Sequence, residues 1–355
     1  MKFKFFVLSF SIFFLSFYTL GHADEARWKN LMERAQSLYQ KGRYDEGIQF
    51  AEEALIEAEK TFGREHEAVA TTLSNLAGFY HSEGKFKEAE VYLARALQIH
   101  RKIKTDDTQV AICLGNLANL YHSQGKFDKA EQMFKQTLDL WKKIPQAKER
   151  YVAASMNNLA DLYSSEGRFS EAEALYKETL MLREKNLGHD HIDVADTLNN
   201  LGLLYKAEGY YSEAEPVLKR SVEIREKELG SNHSDLAVSL NNLAEVYRLE
   251  RNYEDAEPLF ARSLKIWQKN LGPHHPYVAL ALHNLAHLYH AQGKYEEAEK
   301  LYQESINIWK ERPKSNQLDM ATALNNLADL YRSQGRTLEA DVLNQRAASI
   351  MEKVL

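Results

Sequence analysis

Hydrophobic positions along this chain recur with the spacing of amphipathic helices. Leu73, Leu76, Ala77 and Tyr80 fall at i, i+3, i+4 and i+7, which places them on one face of a helix. Gly84 follows this segment, and a second helical pattern begins directly after it. The local pattern therefore predicts a helix, a tight turn and a second helix.

The same unit recurs along almost the whole chain. A phrase of the type Asn-Leu-Ala-x-x-Tyr begins at seven asparagines, spaced by 42 residues and once by 41: Asn75, Asn116, Asn158, Asn200, Asn242, Asn284 and Asn326. An earlier copy has Glu33 in place of asparagine. A fixed period of this length is typical of a solenoid of stacked repeats.

We therefore predict an all-α fold, a right-handed α-solenoid of about eight antiparallel helix-turn-helix repeats that form a single domain over residues 24–355. The predicted repeats are residues 28–65, 66–106, 107–148, 149–190, 191–232, 233–274, 275–316 and 317–355.

Small residues and glycines mark the close contacts and turns of each unit. Ala77 and its counterparts, among them Gly202, are expected to let the partner helix approach closely. Gly84 and its counterparts suit a left-handed helix end. Arg251 stands at this glycine position in one repeat, and Asn252 is expected to take the left-handed conformation instead. Capping boxes are expected at Ser170-x-x-Glu173 and Ser212-x-x-Glu215.

These features resemble the tetratricopeptide repeat, in which small residues, Tyr, Gly, Ala and an aromatic residue stand at these spacings. The 42-residue period and the joining phrases, such as residues 184–195 (EKNLGHDHIDVA) and 271–276 (LGPHHP), resemble the kinesin-light-chain subtype. The resemblance implies a fold that binds partners in many unrelated assemblies. The light chain proper joins its motor through a heptad coiled coil before the repeats. Only a few residues separate the N-terminal apolar segment from the first repeat here, so no motor role is implied.

The resemblance also implies that the first helix of each repeat lines a concave groove in which extended peptides bind. It places the seven repeated asparagines along this groove, with Asn157, Asn199, Asn241, His283 and Asn325 one step earlier in the chain. A primary amide carries both donors and an acceptor, and so it can pair with a peptide backbone. The same amides could instead bond the neighbouring helix and fix repeat stacking, and one residue could do both.

A row of basic residues accompanies the asparagines. Lys206, Arg248 and Arg332 stand at equivalent positions, which His81, His122 and His290 fill in other repeats. Such a row could hold an acidic peptide. The alternative is a solvated helix face, on which these cations lie beside Asp161, Glu245 and Asp329.

Other histidines, the cysteine and the tryptophans suggest further roles. His283, His287 and His290 share one helical face and are interpreted first as ordinary polar groove residues; the alternative is that they bind a metal or change charge near pH 6. Asn284 stands where a helical zinc protease has its glutamate.

His66, His191, His233 and His275 recur as Gly-x-x-His in the joints, which indicates a turn or packing role. Cys113 occupies a small core position. Trp141, Trp267 and Trp309 share one position, where they either cover the next repeat or form an exposed strip.

Composition and charge narrow the class of function. The chain has 355 residues, of which 44% are hydrophobic and 27% charged, and its net charge is −6, which gives no reason to expect a nucleic acid as partner. It contains no phosphate-binding glycine loop and no plausible catalytic triad. We therefore expect no enzyme activity, no cofactor and no firm metal site.

The N-terminus has the form of an export signal. Lys2 and Lys4 precede an apolar segment over residues 5–20, and Gly21-His22-Ala23 offers a small-x-small cleavage site before Asp24. The segment is short for a membrane anchor, which needs about 20 residues. We predict a signal peptide over residues 1–23 and a periplasmic or secreted protein.

The sequence thus predicts a non-catalytic scaffold that binds a peptide segment or a protein, with the partner and the oligomeric state left open. The first alternative is a structural adaptor of an envelope assembly that uses its convex face or its last helix, at outward positions such as Ile350 and Met351. The second is a metal- or pH-responsive binder that uses His283, His287 and His290.

Overall fold

A computed structural model describes residues 23–40, 42–104, 107–144, 149–311 and 317–352. Every regular element in these ranges is an α-helix, and the α-solenoid class is confirmed. The sixteen described helices are α1 (Ala23–Gln40), α2 (Tyr44–Phe62), α3 (Glu67–Ser82), α4 (Phe86–Lys102), α5 (Asp107–Ser123), α6 (Phe127–Lys143), α7 (Glu149–Glu166), α8 (Phe169–Leu187), α9 (Ile192–Glu208), α10 (Tyr211–Leu229), α11 (Ser234–Leu249), α12 (Tyr253–Leu271), α13 (Pro276–Ala291), α14 (Tyr295–Lys310), α15 (Gln317–Ser333) and α16 (Thr337–Met351). Of the predicted signal peptide over residues 1–23, residues 1–22 lie outside the described residues.

The described helices group into two compact units. The first, through Arg168, contains α1 to α7, and the second, from Phe169, contains α8 to α16. Within each unit, a helix packs against the helix that follows it in the chain, as expected of stacked helix-turn-helix repeats. The single domain over residues 24–355 stays a prediction.

The second helices from α4 to α14 each bury a large side chain at one equivalent position. The large residues share the eighth helical position and are buried: Leu93, Phe134, Tyr176, Leu218, Phe260 and Tyr302. The predicted close approach is confirmed most clearly at Gly202, where an added Cβ would lie 2.5 Å from Leu218 Cγ. At Gly202 the small residue is therefore a steric requirement of the α9–α10 pair.

The turns between paired helices follow the expected left-handed geometry. Gly84 has φ +72°, and the next residue, Lys85, donates its backbone N–H to Tyr80 O at 2.8 Å. In the repeat that has Arg251 in place of this glycine, the prediction that Asn252 takes the left-handed conformation was wrong. Arg251 itself takes φ +64°, whereas Asn252 has φ −81° and precedes α12. The reason is that Asn252 occupies the position of Lys85 in the turn. Its backbone N–H donates to Tyr247 O at 2.8 Å, just as the Lys85 N–H donates to Tyr80 O, so the left-handed residue must be the one before it.

The predicted capping boxes were also wrong. Ser170 and Ser212 are the second residues of α8 and α10, so neither stands at the cap, and the Tyr210 side chain before α10 makes no capping bond. Glu173 and Glu215 instead accept hydrogen bonds from tyrosines of the next repeat. These glutamates therefore serve repeat stacking.

Six joints share this tyrosine–glutamate bond between successive repeats. From α5 to α15, a tyrosine near the end of the first helix donates to the glutamate at the fifth position of the preceding second helix, over 2.8 to 3.1 Å. A lysine or arginine commonly lies over the tyrosine ring, as Arg336 does at 3.6 Å from the Tyr331 centroid. The pairs are Tyr121–Glu90, Tyr163–Glu131, Tyr205–Glu173, Tyr247–Glu215, Tyr289–Glu257 and Tyr331–Glu299.

The tryptophans cover the junctions between repeats. Trp141, Trp267 and Trp309 are at most 5% exposed, which excludes an exposed docking strip. Trp267 stacks on Tyr277 of the following helix, with ring centroids 5.3 Å apart. The sequence reasoning missed that arginines replace tryptophan at this position of α8 and α10. Arg225 donates to Asp235 O at 2.9 Å and to Ser239 Oγ at 2.7 Å.

The last helix differs from the others at its core positions. Asn344 and Ala348 stand where α14 has the buried Tyr302 and Ile306. Ile350, expected to face outward, instead packs partly buried against the core, and Met351 is 41% exposed. Polar and small residues on this side suit an end face that contacts water.

Candidate functional site

The first helices of successive repeats lie side by side in the second unit. Residues of α9 contact α11, those of α11 contact α13, and those of α13 contact α15. These four helices carry most of the predicted groove residues. Because each helix repeats the same residue types at the same height, their side chains form rows across the repeats.

The asparagines of this unit form amide bonds between repeats. Asn242 Nδ2 donates to Asn199 Oδ1 at 2.9 Å, and Asn284 Nδ2 donates to Asn241 Oδ1 at 3.0 Å. Asn326 Nδ2 lies 3.2 Å from His283 Nε2, which replaces the acceptor amide in that repeat. The stacking role considered for these amides is therefore present here. Binding of a ligand by the same side chains stays a prediction.

The ladder is not uniform along the chain. Asn75, Asn116 and Asn158 are half-buried, but the residues one step earlier in the first two repeats are Ser74 and Gly115, which carry no amide. Asn157 Nδ2 donates within its own helix, to Asp161 Oδ2 at 3.3 Å. Asn325 in α15 is exposed, and Asn200 in α9 is half-buried.

The predicted basic row divides into partnered and unpartnered side chains. Arg248 donates from Nε and Nη2 to the Glu245 carboxylate, each over 2.8 Å. Arg332 Nη1 lies 2.9 Å from Asp329 Oδ1. His81, His122 and His290 each reach a serine of the next repeat, at 3.0, 2.9 and 3.3 Å. Most members of the row are thus held by neighbours in the protein.

Lys206 is the exception in this row of the second unit. Among the described residues, no carboxylate lies within 4 Å of its Nζ, and the serine that would face it in the next repeat is replaced by Leu249. Burial lowers the pKa of Lys206, with Glu245 opposing and Arg248 reinforcing that shift. Lys206 is therefore half-buried and lacks the bond to a serine of the next repeat that the histidines at equivalent positions make.

The Glu245–Arg248 pair lies beside Lys206 on the neighbouring helix. Burial raises the pKa of Glu245, but the hydrogen bonds and charge of Arg248, followed by the charge of Lys206, lower the pKa below its ordinary value. Glu245 is therefore ionised at neutral pH and neutralises Arg248. Glu245 also attracts the charge of Lys206, but among the described residues Lys206 forms no ion pair of its own.

The structure does not favour the metal- or pH-responsive alternative for the three histidines of α13. Within the described ranges, no group of three or more His, Cys, Asp or Glu side chains is arranged to hold a metal ion. His283 is 2% exposed, and burial lowers its pKa to about 3. Burial, and then the charge of Arg248, lower the pKa of His287 to about 4. A change of charge near pH 6 does not fit these surroundings.

The recurring joint histidines have a capping role that the sequence only outlined. His66, His191, His233 and His275 directly precede α3, α9, α11 and α13, and each imidazole accepts a backbone N–H of its helix. Cys113 is buried as expected, and burial raises the pKa of its thiol to about 11. Its thiol is therefore unreactive at neutral pH.

None of the described helices combines the length and apolar composition needed to cross a bilayer.

Paired helices in tandem, with aligned polar rows on the first helix of each pair, define a helical-repeat protein. The tetratricopeptide repeat model matches residues 24–102, 68–143, 151–227, 235–311 and 277–353. The chain belongs to the tetratricopeptide repeat family.

Several solved structures are similar to this chain. The apo form of the quorum sensor NprR from B. thuringiensis has a TM-score of 0.69 at 17% identity, over 94% of this chain and 89% of that chain. The Rap conjugation gene regulator of the plasmid pLS20, in complex with the Phr* peptide, has a TM-score of 0.63 at 15% identity, over 92% and 95%. A putative kinesin light chain of Podosopora anserina has a TM-score of 0.49 at 27% identity, over 57% and 95%. A comparison with curated proteins found no match.

Proposed function

We propose that this protein is a non-catalytic interaction scaffold whose first-helix surface binds an extended peptide segment of a protein partner. The proposal rests on the hydrogen-bonding groups of the Asn242 and Asn284 side-chain amides that stacking does not use. Each uses one N–H for stacking, and each is half-buried. A carbonyl oxygen and a second N–H remain on each amide, and this pair complements the N–H and C=O of a peptide backbone.

Lys206 gives the surface a preference for acidic peptides. Its ammonium group has no carboxylate partner among the described residues, whereas Arg248 and Arg332 are paired with acids of their own helices. A carboxylate of a bound peptide would supply the missing partner through a charge-assisted hydrogen bond. The stacked helices hold these groups in place, so that little ordering entropy is lost on binding.

The similar folds support a binding role. The pLS20 regulator, which shares this fold, is described in complex with a peptide. Fold similarity at this identity does not transfer a ligand, and so the peptide class is inferred from this chain's own side chains.

Binding to an immobilised library of short peptides tests the proposal. Lys206→Gln removes this cation without breaking an ion pair among the described residues, and Lys265→Gln is the matched control on an exposed face of α12. We expect Lys206→Gln to weaken binding of Asp- or Glu-containing peptides by about tenfold. Lys265→Gln should bind as the wild type does. The proposal is wrong if the folded protein binds no peptide, or if both variants lose binding equally.

The adaptor role remains a second candidate because of two exposed side chains on α16. Leu338 is 83% exposed and Val342, one turn later, is 64% exposed. An apolar pair on one helical face is a common element of protein interfaces. Cross-linking to partners that is lost in a Leu338→Glu/Val342→Lys variant, but retained in Lys206→Gln, would favour this role.

We also propose that the protein is exported and that the signal is removed between Ala23 and Asp24. The support is the basic, apolar and small-residue order of residues 1–23. N-terminal sequencing of protein recovered outside the cytoplasm is the test. A mature chain that starts at Asp24 is expected, and a chain that retains Met1 would contradict the proposal.

A further inference from the structure

Two polar groups near the first-helix surface of the second unit are buried without a hydrogen-bond partner. They are Nδ1 of His283 in α13 and the hydroxyl of Tyr302 in α14, and nothing in the described ranges bonds either atom. The two rings meet edge to face, with centroids 5.4 Å apart. Buried polar groups in folded proteins are nearly always hydrogen-bonded. Two neighbouring exceptions therefore indicate a place where a further hydrogen-bonding group is taken up.

The bond between His283 and the next repeat determines which ring nitrogen carries the proton. Asn326 Nδ2 lies 3.2 Å from His283 Nε2. An amide nitrogen can only donate, so Nε2 accepts. Burial, and then the charge of His287, lower the pKa of His283 to about 3, so the ring is neutral at pH 7 and its one proton sits on Nδ1. His283 therefore presents a buried N–H that can donate to a further acceptor.

The Tyr302 hydroxyl is not needed to fill its place in the repeat. Phe134 and Phe260 occupy the equivalent positions of α6 and α12, and both are buried as Tyr302 is. Burial raises the pKa of Tyr302, so the hydroxyl keeps its proton at neutral pH, and the charges of Arg248 and Asp329 also act on it. These two residues belong to first helices, α11 and α15. The hydroxyl therefore lies on the side of Tyr302 that faces the first-helix surface.

His287 is the side chain beside this pair that can give access to it. It follows His283 by one turn of α13 and is half-buried, with the two ring centroids 6.5 Å apart. In the part of the chain that the structure describes, its imidazole interacts with charged and aromatic neighbours but makes no hydrogen bond. No bond has to break when this ring turns aside, so a ligand side chain can reach His283 and Tyr302 from the first-helix surface.

The charged groups around His287 are already paired with each other. Glu245 accepts two hydrogen bonds from Arg248 on α11, and Arg332 lies 2.9 Å from Asp329 on α15. A charged ligand group buried here would find no free opposite charge, and the loss of its water is costly. An uncharged polar group has a smaller cost and needs only hydrogen bonds. Because both buried groups can donate, the group that fits best carries an acceptor oxygen.

We propose that His283, His287 and Tyr302 form a subsite that binds an uncharged, oxygen-bearing side chain of the peptide, an amide or a hydroxyl. The oxygen accepts hydrogen bonds from His283 Nδ1 and from the Tyr302 hydroxyl, while His287 turns aside. The inference rests on the proposed function and adds a second specificity to it, since Lys206 on α9 selects an acidic residue elsewhere in the same peptide.

A positional scan of acidic peptides tests this subsite. The peptides are about nine residues long, which extends over about 30 Å; each has one fixed glutamate and carries Asn, Ser, Ala or Lys at one further position. We expect Asn or Ser to be preferred over Ala and Lys at one position. Tyr302→Phe should weaken binding of the preferred peptide about fivefold, the effect of one lost hydrogen bond, and should leave binding of the matching Ala peptide unchanged.

Tyr210→Phe is the matched control, because it removes a hydroxyl from a side chain that is 53% exposed. It should bind both peptides as the wild type does. Equal weakening of both peptides by Tyr302→Phe, or no preference at any position, would contradict the inference.

Thermal melting without peptide gives an independent readout. Because phenylalanine fills the equivalent position in two other repeats, Tyr302→Phe should be at least as stable as the wild type. A clear loss of stability with unchanged peptide binding would show that the hydroxyl serves the fold alone, and would overturn the inference. If peptides bind in a Lys206-dependent way but Tyr302→Phe has no effect, only the subsite is wrong. If the folded wild-type protein binds no peptide, the proposed function fails and the subsite with it.

Discussion

Tyr247 Oη donates a hydrogen bond to Glu215 Oε1 across 3.1 Å and so joins α11 to α10 of the preceding repeat. Lys219 Nζ also lies 2.6 Å from the same carboxylate oxygen and 5.6 Å from the Tyr247 ring centroid. The glutamate therefore has one partner in each of two successive repeats. Because related pairs recur at the other joints, this contact is a structural unit of the stack.

Removing the hydroxyl at this joint should destabilise the protein without a change in packing. We expect Tyr247→Phe to lower the free energy of unfolding by about 1 kcal/mol, the usual contribution of one hydrogen bond. Urea denaturation followed by circular dichroism measures this change. Tyr210→Phe is the control, because Tyr210 is 53% exposed, and it should have no comparable effect.

The joint at Glu131 should lose stability in acid. Hydrogen bonds from Arg168, and then from Lys135 and Tyr163, lower the pKa of Glu131 to about 2. The unfolded value is about 4.3, so this stabilisation is complete above that pH and is lost as the pH falls towards 2.

The urea midpoint at pH 5.0 and pH 3.0 provides the measurement for Glu131. Wild-type protein should lose more stability over this interval than Glu131→Gln does. Glu53→Gln, at an exposed position of α2, should keep the wild-type dependence. If Glu131→Gln and the wild type respond to acid equally, the ion pair does not contribute as argued.

Gly202 should not tolerate even an alanine. The added methyl group would lie 2.5 Å from Leu218 Cγ, and Leu218 is fully buried. We expect Gly202→Ala to destabilise by about 1–3 kcal/mol, despite the better helix propensity of alanine. The double variant Gly202→Ala/Leu218→Ala should not add the two costs, because the smaller residue relieves the clash. Full additivity in thermal melting would show that the contact is not the cause.

Arg251 should be replaceable by glycine with a gain in stability. Its φ of +64° is unfavourable for a residue with a Cβ, and other repeats have glycine there. Arg251→Gly should raise the free energy of unfolding by about 1 kcal/mol. The reverse change in the neighbouring repeat, Gly209→Arg, should lower it by a similar amount, since a Cβ at Gly209 meets no atom within 4 Å. A loss of stability in Arg251→Gly would contradict this account.

The periodic features of the fold could be predicted because each repeat shows them again. The small residue at Gly202, the positive-φ glycines and the tryptophan positions all recur, so that alignment of the copies separates pattern from chance. The exact residue at which a helix begins could not be predicted in this way, because a shift of one residue leaves the repeat pattern unchanged. Ser212 looked like a cap because Glu215 follows three residues later, yet α10 begins at Tyr211.

The candidate site was less predictable, because it depends on contacts between repeats rather than within them. Lys206 and His290 occupy equivalent positions in the sequence, but only His290 has a serine, Ser333, facing it from the next repeat. One signal could have separated them: the residue 43 positions after Lys206 is Leu249. Comparing side chains at that offset also reveals the bond between Asn242 and Asn199.

The bonds between repeats have a consequence for how the chain can change in length. Excision of residues 233–274 would bring Tyr289 to Glu215, of the same residue type as its present partner Glu257, and Asn284 to Asn199 in place of Asn241. The joint would still read Gly230-x-x-His275. Recombination between repeats can therefore shorten or extend this molecule while the tyrosine–glutamate and asparagine–asparagine bonds at the new joint keep partners of the same residue types.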